Sequence, residues 1–258
     1  MSYYLIDQTY EDLQEYVAKN AIVVLPVGTI EEHGKHLPIG TDYDIAKFVG
    51  DEIGKQLSAE IPLLIMESVW AGYSPKAMTK WPGIMRLRTR TFIDMMVDVC
   101  SSIIEMGFKK IVMLDCHGQH APFLNVVTKE IADKYGLYIV STSPLNFSLE
   151  GFNKVRTSPR GGVCHACEWE TSMMLKCSDY VKTDRIIDEP ITYHSDFVAG
   201  DGAMGGQRVV WSTWGLQKSK TGIYGSPSHG SKEKADVIMK CMIENYRKFL
   251  KEYYEFKG

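Results

Sequence analysis

The sequence predicts a single α/β domain whose mostly parallel sheet is covered by helices on both faces. Short apolar runs rich in β-branched residues alternate with longer stretches whose apolar residues recur at helical spacing. Such alternation is typical of a parallel sheet with helical connections. The 258 residues, 45% of them hydrophobic, suffice to bury one large core without disulfides or structural metals. No low-complexity linker, charge block or internal repeat divides residues 1–258.

The first half of the chain predicts two strands and two helices. Residues 21–27 are short, apolar and β-branched, which is typical of a buried strand. A helix is predicted over 44–57 and a second strand over 61–66. Residues 91–106 place apolar side chains three and four positions apart, which predicts a helix that ends at Gly107.

The second half continues the same alternation. Residues 110–115 predict a strand, 121–134 a helix and 138–142 another strand. A helix over 166–175 and a long helix over 231–253 complete the chain. In parallel sheets of this kind, ligands bind at the carboxyl ends of the strands. Polar residues that follow a predicted strand are therefore the first candidates for a functional site.

Composition narrows the class of partner. The formal net charge is −3 and there is no basic tract, so the chain lacks the electrostatic footprint of a nucleic-acid binder. No apolar stretch approaches the roughly 18–20 residues of a membrane span, and the N-terminus lacks the pattern of a signal peptide. Six scattered cysteines indicate buried free thiols. We expect a cytoplasmic protein that acts on a small molecule, with neither nucleic acid nor a membrane as partner.

Three polar clusters follow predicted strands. They contain five of the seven histidines together with several carboxylates. Their candidate ligands are Glu31, His33 and Asp42 in the first cluster, His117 in the second, and His165, Glu168 and Glu170 in the third. Mixtures of His, Asp and Glu suit Zn²⁺ or Mn²⁺. A bridging carboxylate is the usual means of holding two such cations a few ångströms apart.

Each of these residues also has a structural interpretation. A lone histidine at a strand end is more often a satisfied core or surface residue than a ligand. Glu32, Lys35 and Asp44 are equally well explained as solvated loop charges. Three clusters that each begin directly after a predicted strand are harder to explain in this way, and together they favour a metal site.

A Cys164-x-x-Cys167 spacing has two further interpretations, half of a zinc ribbon or a redox pair. No second CxxC is present, and the motif does not follow a thioredoxin-like strand, so neither interpretation is favoured. No phosphate-binding loop of the GxxxxGK[ST] type and no GxSxG elbow occur in the chain.

At the polar clusters the sequence resembles the creatininase (creatinine amidohydrolase) family. The most specific part is E-x-H-G with an aspartate nine residues after the histidine, combined with H-x-x-x-x-E-T-S. The matching segments are residues 25–34 with Asp42, 81–83, 115–118, 165–172 and 222–227. The resemblance implies a three-layer α/β/α fold, a homo-oligomer such as the hexamer common in the family, and two Zn²⁺ or Mn²⁺ ions per subunit.

The resemblance also implies residue roles. Glu31 and His117 would hold one metal, His33 and Glu170 would hold the other, and Asp42 would bridge them. His165 matches a histidine that transfers protons next to the metals. Glu168 is the competing candidate for that role, since it is an additional carboxylate that creatininase itself lacks.

Together these features predict a two-metal hydrolase that uses a metal-activated hydroxide to open an amide-like C–N bond in a small polar substrate. Three alternatives stay open: a C–C hydrolase of a cyclic polyol ketone of the 3-dehydro-inosose type, a deformylase or peptide-trimming relative, and a non-catalytic metal-stabilised binding or assembly protein. Metal-dependent turnover would separate the enzymes from the last.

We also predict that the protein is a poor creatininase. Gln119 stands where creatininase has an acidic residue, and no tryptophan occurs in 142–149 or 160–164 to stack on a flat ring. A hydroxylated or carboxylated ring is expected instead. Side chains that could donate hydrogen bonds to it are Lys35, Lys80, Arg86, Gln119 and His120.

Overall fold

The computed structural model describes residues 2–205, 208–209 and 217–257, and its centre is a four-stranded parallel sheet. The strands are β1 (Ile22–Val27), β2 (Leu63–Ile65), β3 (Gly72–Tyr73), β4 (Arg86–Leu87), β5 (Lys110–Asp115) and β6 (Val140–Thr142). The central sheet has the order β2-β1-β5-β6, and β3 pairs with β4 in a separate two-stranded parallel sheet.

Seven α-helices and four short 3₁₀ turns are found in the described part of the chain. The helices are α1 (Tyr10–Ala18), α2 (Thr41–Leu57), α3 (Thr89–Glu105), α4 (Ala121–Tyr135), α5 (Pro144–Val155), α6 (Glu168–Cys177) and α7 (Lys232–Glu255). The 3₁₀ turns are Leu5–Asp7, Lys76–Lys80, Thr183–Arg185 and Pro227–His229. Among the described residues, no helix combines the length and the apolar character that a membrane span needs.

The register of the two central strands determines where a site can form. β1 pairs with β5 from Ile22 opposite Lys110 to Val27 opposite Asp115. Both strands therefore end at the same level of the sheet. The segments that follow them, from Gly28 and from Cys116, leave the sheet side by side at its carboxyl edge.

The core has two layers because side chains alternate across the buried sheet. Val23 and Leu25 of β1 pack with α3 and α4 on one face. Ile22 and Val24 pack with α2, α5, α6 and α7 on the other. The predicted α/β fold, with a mostly parallel sheet flanked by helices, is confirmed.

Each predicted strand and helix has a counterpart whose ends differ by at most three residues. α2 begins at Thr41 rather than at 44, so Asp42 lies in the first turn of a helix and not in a loop. The sequence analysis did not predict α1, α5, β3 or β4. For α1 a signal was present: Thr9 and Asp12 form a capping box at its start.

Lys110, at the start of β5, closes the carboxyl end of α7. Its Nζ donates to the backbone carbonyls of Tyr253, of Tyr254 at 2.8 Å and of Phe256 at 2.7 Å. The last carbonyls of a helix have no partner within the helix and carry partial negative charge, so a cation there is stabilising. The C-terminal helix is thereby tied to a central strand.

Candidate metal centre

The carboxyl edge of the sheet brings the three polar clusters together in a buried group. Glu31 and His33 follow β1, Asp42 lies in the first turn of α2, His117 follows β5, and His165 and Glu170 lie just before and within α6. Each is at most 9% exposed. The shared end of β1 and β5 places the first two clusters side by side, and α6 supplies the third.

Asp42 lies between two histidines. Its Oδ1 is 3.3 Å from Nε2 of His33, and its Oδ2 is 2.9 Å from Nδ1 of His117. Each oxygen of one buried carboxylate therefore faces a different imidazole. A carboxylate shared between two cations would have this arrangement.

Each of the two histidines has a second carboxylate beside it. His33 Nε2 is 3.8 Å from Oε1 of Glu170, and His117 Nε2 is 3.7 Å from Oε2 of Glu31. The distances divide the group into two sets that share Asp42. One set has His33 and Glu170, and the other has His117 and Glu31.

Backbone carbonyls orient two of the imidazoles. Nδ1 of His33 lies 3.0 Å from the carbonyl oxygen of Glu31, and Nε2 of His165 lies 2.7 Å from that of Glu32. The other ring nitrogen of each then faces the carboxylates, as is usual where histidines bind metals. Ligand atoms of His33, His165 and Glu170 all lie within 4.8 Å of one another.

The start of α6 fixes the position of Glu170. Its Oε2 accepts a hydrogen bond of 2.9 Å from the backbone N–H of Cys167, the N-cap residue. Ala166 joins His165 to this helix with a φ of 52°, in the left-handed region that residues other than glycine rarely adopt. The turn at Ala166 therefore sets His165 and Glu170 on the same side of the cluster.

The donor set fits a divalent cation. Both carboxylate oxygens of Glu31 and Nε2 of His33 are buried without a hydrogen-bond partner among the described residues. Burying a carboxylate without compensation is costly, and a cation would compensate it. Imidazole and carboxylate ligands in a buried site favour Zn²⁺ or Mn²⁺.

The buried cluster shifts the pKa values of its members in different directions. Burial raises the pKa of Asp42, but His33 and His117 lower it more, and it lies well below its usual value. Burial lowers the pKa of His33, but Asp42, Glu170 and Glu31 together outweigh this and raise it to about 10. Burial, with His33 nearby, places the pKa of His165 well below its usual value. The surroundings thus favour the anionic form of Asp42 and the neutral form of His165.

Glu168 takes a different position from the other predicted site residues. Its carboxylate accepts hydrogen bonds from the backbone N–H groups of Thr157 at 3.0 Å and Ser158 at 2.9 Å, and it pairs with Lys234 of α7. Burial raises its pKa, but Lys234 and these donors lower it below its usual value. The contacts tie α6 to the 157–158 loop and to α7.

Glu32 is a buried residue that the sequence left open as a loop charge. It is 4% exposed, its Oε2 accepts a 3.0 Å hydrogen bond from the N–H of Gly34, and its Oε1 is 3.9 Å from Nε2 of His165. Burial raises its pKa to about 7. Its position between two predicted ligands in the chain was the available signal. Lys35, by contrast, is exposed.

A cavity of about 510 Å³ opens beside Glu170. Its polar wall includes Gln119, Ser143, Asn146, Tyr193 and Asp201. No lysine or arginine is among the described residues that line it. Gln119 thus lies where the sequence analysis expected a substrate contact, whereas Lys35, Lys80, Arg86 and His120 do not line the cavity.

The cavity also has an apolar wall with three thiols. Cys116, Cys164 and Cys167 line it and are free cysteines. Burial raises the pKa of each thiol, which disfavours the thiolate that redox chemistry needs.

Trp169 packs in the core with its Nε1 donating to Oγ of Ser148 at 3.0 Å. Trp211 and Trp214 lie outside the described residues.

Comparison with known proteins gives consistent matches. A family model described as creatinine amidohydrolase matches residues 7–250. The chain is 27% identical to a 3-dehydro-scyllo-inosose hydrolase of Thermotoga maritima, in a match that spans 67% of this chain and 55% of that protein. It is 21% identical to a creatinine amidohydrolase of Pseudomonas putida over 97% of both.

Solved structures show the same fold. A creatininase with manganese matches with a TM-score of 0.78 and 20% identity, covering 99% of this chain and all of the other. A glutamate-to-glutamine variant of creatininase, described as a Zn–Zn type, gives the same TM-score, identity and coverage.

Proposed function

The chain belongs to the creatininase family of metal-dependent hydrolases, and from this premise we propose that it uses two metal ions to hydrolyse a bond next to a carbonyl in a small, uncharged polar substrate. The observation that carries the proposal is Asp42, whose two oxygens face two histidines that each have a further carboxylate beside them. The proposed ions are Zn²⁺, Mn²⁺ or one of each.

The distances between the histidines and the carboxylates assign the proposed ligands to two ions. Glu31 and His117 would hold one ion, His33 and Glu170 the other, and Asp42 both. Ions held by these residues would act as Lewis acids, lowering the pKa of water and polarising the carbonyl of the substrate. The five proposed ligands are buried and come from four segments of the chain, which fixes their positions relative to one another.

His165 is the proposed proton-transfer residue. Its Nε2–H donates to the carbonyl of Glu32, so Nδ1 carries the lone pair and faces the cluster. From there Nδ1 would accept a proton and pass it to the leaving group. The same geometry permits Nδ1 to serve as a further ligand beside His33 and Glu170. Glu168, committed to Lys234 and the 157–158 loop, is assigned a structural role.

The side chains that line the cavity indicate which charge and which polar groups the substrate should have. Among the described residues that line it, Asp115, Glu170 and Asp201 carry carboxyl groups and none is cationic, so a carboxylated ring would meet side chains of like charge and find opposite charge only at the proposed metal ions. Gln119, Ser143 and Asn146 offer amide and hydroxyl groups that suit neutral carbonyl and hydroxyl partners. We therefore narrow the earlier expectation of a hydroxylated or carboxylated ring to an uncharged one.

Two bonds fit this chemistry. Hydrolysis of an amide-like C–N bond agrees with the creatinine amidohydrolases that the chain resembles. Hydrolysis of a C–C bond in a cyclic polyol ketone is the second candidate, favoured by the 27% identity to an inosose hydrolase and by the amide and hydroxyl groups of Gln119, Ser143 and Asn146 in the cavity wall. Gln119, which cannot carry a proton as a carboxylate does, favours the second.

The test is turnover by metal-loaded protein with matched substrates. Protein reconstituted with Mn²⁺ or Zn²⁺ is assayed on creatinine, on uncharged cyclic amides and on 3-dehydro-inososes, with Asp42→Ala as the inactive control. We expect metal-dependent turnover of an uncharged substrate. Creatinine should react with kcat/KM below about 10⁴ M⁻¹s⁻¹, the lower end of the ordinary range. Protein that binds less than one metal equivalent would contradict the proposal.

Two further expectations are part of the proposal. All six cysteines are described and are free thiols, which supports a reducing, cytoplasmic location. A homo-oligomer, with a hexamer as the expected size, rests on the family resemblance and stays a prediction. Light scattering after gel filtration measures it directly.

A further inference from the structure

A buried histidine outside the proposed ligand set, His120, lies next to the proposed ligand His117. His120 is 0% exposed, its ring stacks on Phe92 at a centroid distance of 4.3 Å, and it meets the ring of His117 edge-on at 4.6 Å. It does not line the cavity beside Glu170. Its function must therefore come from what its two nitrogens bind.

Both ring nitrogens of His120 are hydrogen-bonded. Nδ1 lies 3.0 Å from Oδ1 of Asp115, and Nε2 accepts a 3.1 Å hydrogen bond from the backbone N–H of Tyr73. A carboxylate needs a donor and a backbone N–H needs an acceptor. Only the neutral ring with its proton on Nδ1 satisfies both partners.

Asp115 links this histidine to a proposed ligand. The same Oδ1 that faces His120 also accepts a 3.1 Å hydrogen bond from the backbone N–H of His117. His117 follows β5 by two residues, and besides the bond from its N–H to Asp115 its carbonyl accepts a 2.9 Å hydrogen bond from the backbone N–H of His120. The direction of its side chain towards Asp42 and Glu31 then depends on how the Asp115 carboxylate is held.

We infer that His120 is a positioning residue for the His117 half of the metal centre, acting through Asp115. Its Nδ1–H fixes the Asp115 carboxylate, and the carboxylate fixes the backbone of His117. Its Nε2 holds β3 against the same point. The inference rests on the proposed two-metal function, and it assigns to His120 a role that this residue performs through Asp115 and not by binding metal or substrate.

Gly72 shows how closely the partners of His120 approach. A Cβ at position 72 would lie 2.2 Å from Nε2 of His120 and 2.4 Å from its Cε1, so the ring would have to move. A Cβ at Gly118, next to His117 in the chain, would meet no atom within 4 Å. Gly72→Ala and Gly118→Ala are therefore a matched pair that differ in whether they displace His120.

Two substitutions at 120 separate its two hydrogen bonds. The amide of asparagine reaches the place of Nδ1, so His120→Asn keeps a donor for Asp115. The amide of glutamine reaches the place of Nε2, so His120→Gln keeps an acceptor for Tyr73 and loses the donor for Asp115. If the inference is correct, His120→Gln binds metal more weakly than His120→Asn, because only the asparagine variant keeps the hydrogen bond to Asp115.

The measurement is stepwise binding of Zn²⁺ and Co²⁺ by chelator competition, with the visible spectrum of Co²⁺ reporting each site. We expect His120→Gln and Gly72→Ala to weaken one of the two sites by roughly 10–100-fold, the usual effect of losing a partner of a metal ligand. His120→Asn and Gly118→Ala should stay within about threefold of wild type. Thermal unfolding of the metal-free variants is measured in parallel.

Three results would overturn the inference. The first is wild-type affinity at both sites in His120→Gln and Gly72→Ala. The second is weakening of both sites together in proportion to lost stability, which would mean that His120 only supports the fold. The third is a wild-type protein that binds less than one equivalent, which would remove the two-metal proposal itself. Two sites in wild type with unchanged variants would refute only the role of His120.

Discussion

At the scale of single residues, Asp42 is the residue that both proposed metal sites share. Asp42→Ala removes the oxygen that faces His33 and the oxygen that faces His117. We expect it to lose both metals, whereas His33→Ala should lose mainly one. Metal analysis after dialysis measures the difference. Asp44→Ala, two residues along in the same turn, is the control, and equal metal content in Asp42→Ala and the control would refute the bridge.

His165 offers a second residue-level prediction. His165→Ala should keep both metals and lower kcat by roughly 10²–10⁴-fold, the usual contribution of general acid–base catalysis. Glu168→Gln should leave kcat near wild type and lower the free energy of unfolding by about 1–3 kcal/mol, because its buried pair with Lys234 is weakened. Loss of a metal from His165→Ala would identify Nδ1 as a ligand instead.

Single residues also mark the limit of what the sequence predicts. The cluster residues were identifiable because each carries a side chain that metals favour. Glu31, His33 and His117 follow strands, whereas His165 and Glu170 follow α5 and not a strand as the sequence predicted. The position of Glu32 between two predicted ligands was the only hint of its burial, because the contact that buries it comes from a segment about 190 positions away. A Cβ at Gly222 would lie 2.2 Å from Oε2 of Glu32, and only the folded chain brings the two together. Likewise, the partners that hold Glu168 come from α7 and from the 157–158 loop.

At the scale of elements, the contact between β5 and α7 gives a stability prediction. Lys110→Met removes the donor to three carbonyls at the end of α7. We expect the free energy of unfolding to fall by about 2–3 kcal/mol, in the range for hydrogen bonds to a charged group. Urea titration measures it. Lys109→Met, at an exposed neighbouring position, should change it little, and an equal loss in both variants would contradict the capping role.

Elements with a strong pattern were predictable, and elements that depend on tertiary contacts were not. β1 and β5 are fully buried, so their apolar runs are continuous and easily read. α5 has a weaker signal, and it is stabilised by its packing on α7. β3 and β4 are two residues each and, within the part of the chain that the structure describes, form a sheet of just these two strands. Strands this short leave no periodicity in the sequence.

At the scale of the whole molecule, metal binding should stabilise the fold. The proposed ligands come from the segment after β1, from α2, from the end of β5 and from α6, so an ion joins parts of the chain that are far apart in sequence. A ligand at 1,000 times its Kd stabilises a protein by about 4 kcal/mol. We expect Zn²⁺ or Mn²⁺ to raise Tm and a chelator to lower it. Calorimetry measures this, and Asp42→Ala should abolish the response.

The cavity belongs to the same scale because its wall is assembled from distant segments. Gln119 follows β5, Asn146 lies in α5, and Tyr193 and Asp201 come from the segment between α6 and α7. Arg156 holds Asp201 in place through two hydrogen bonds of 2.9 and 2.6 Å. Substrate preference is therefore a property of the folded molecule. This is why the sequence names candidate metal ligands residue by residue but does not specify the residues of the substrate cavity.

The left-handed turn at Ala166 has a consequence for mutational tolerance. A β-branched or bulky side chain at a φ of 52° is strained, whereas glycine adopts this conformation freely and asparagine or aspartate at a small cost. A saturation library at position 166, selected for activity, should therefore retain Gly, Ala, Asn and Asp and be depleted of Val, Ile and Thr. Position 166, between the proposed proton-transfer histidine and α6, should therefore vary less among functional sequences than the small, unreactive side chain of alanine would suggest.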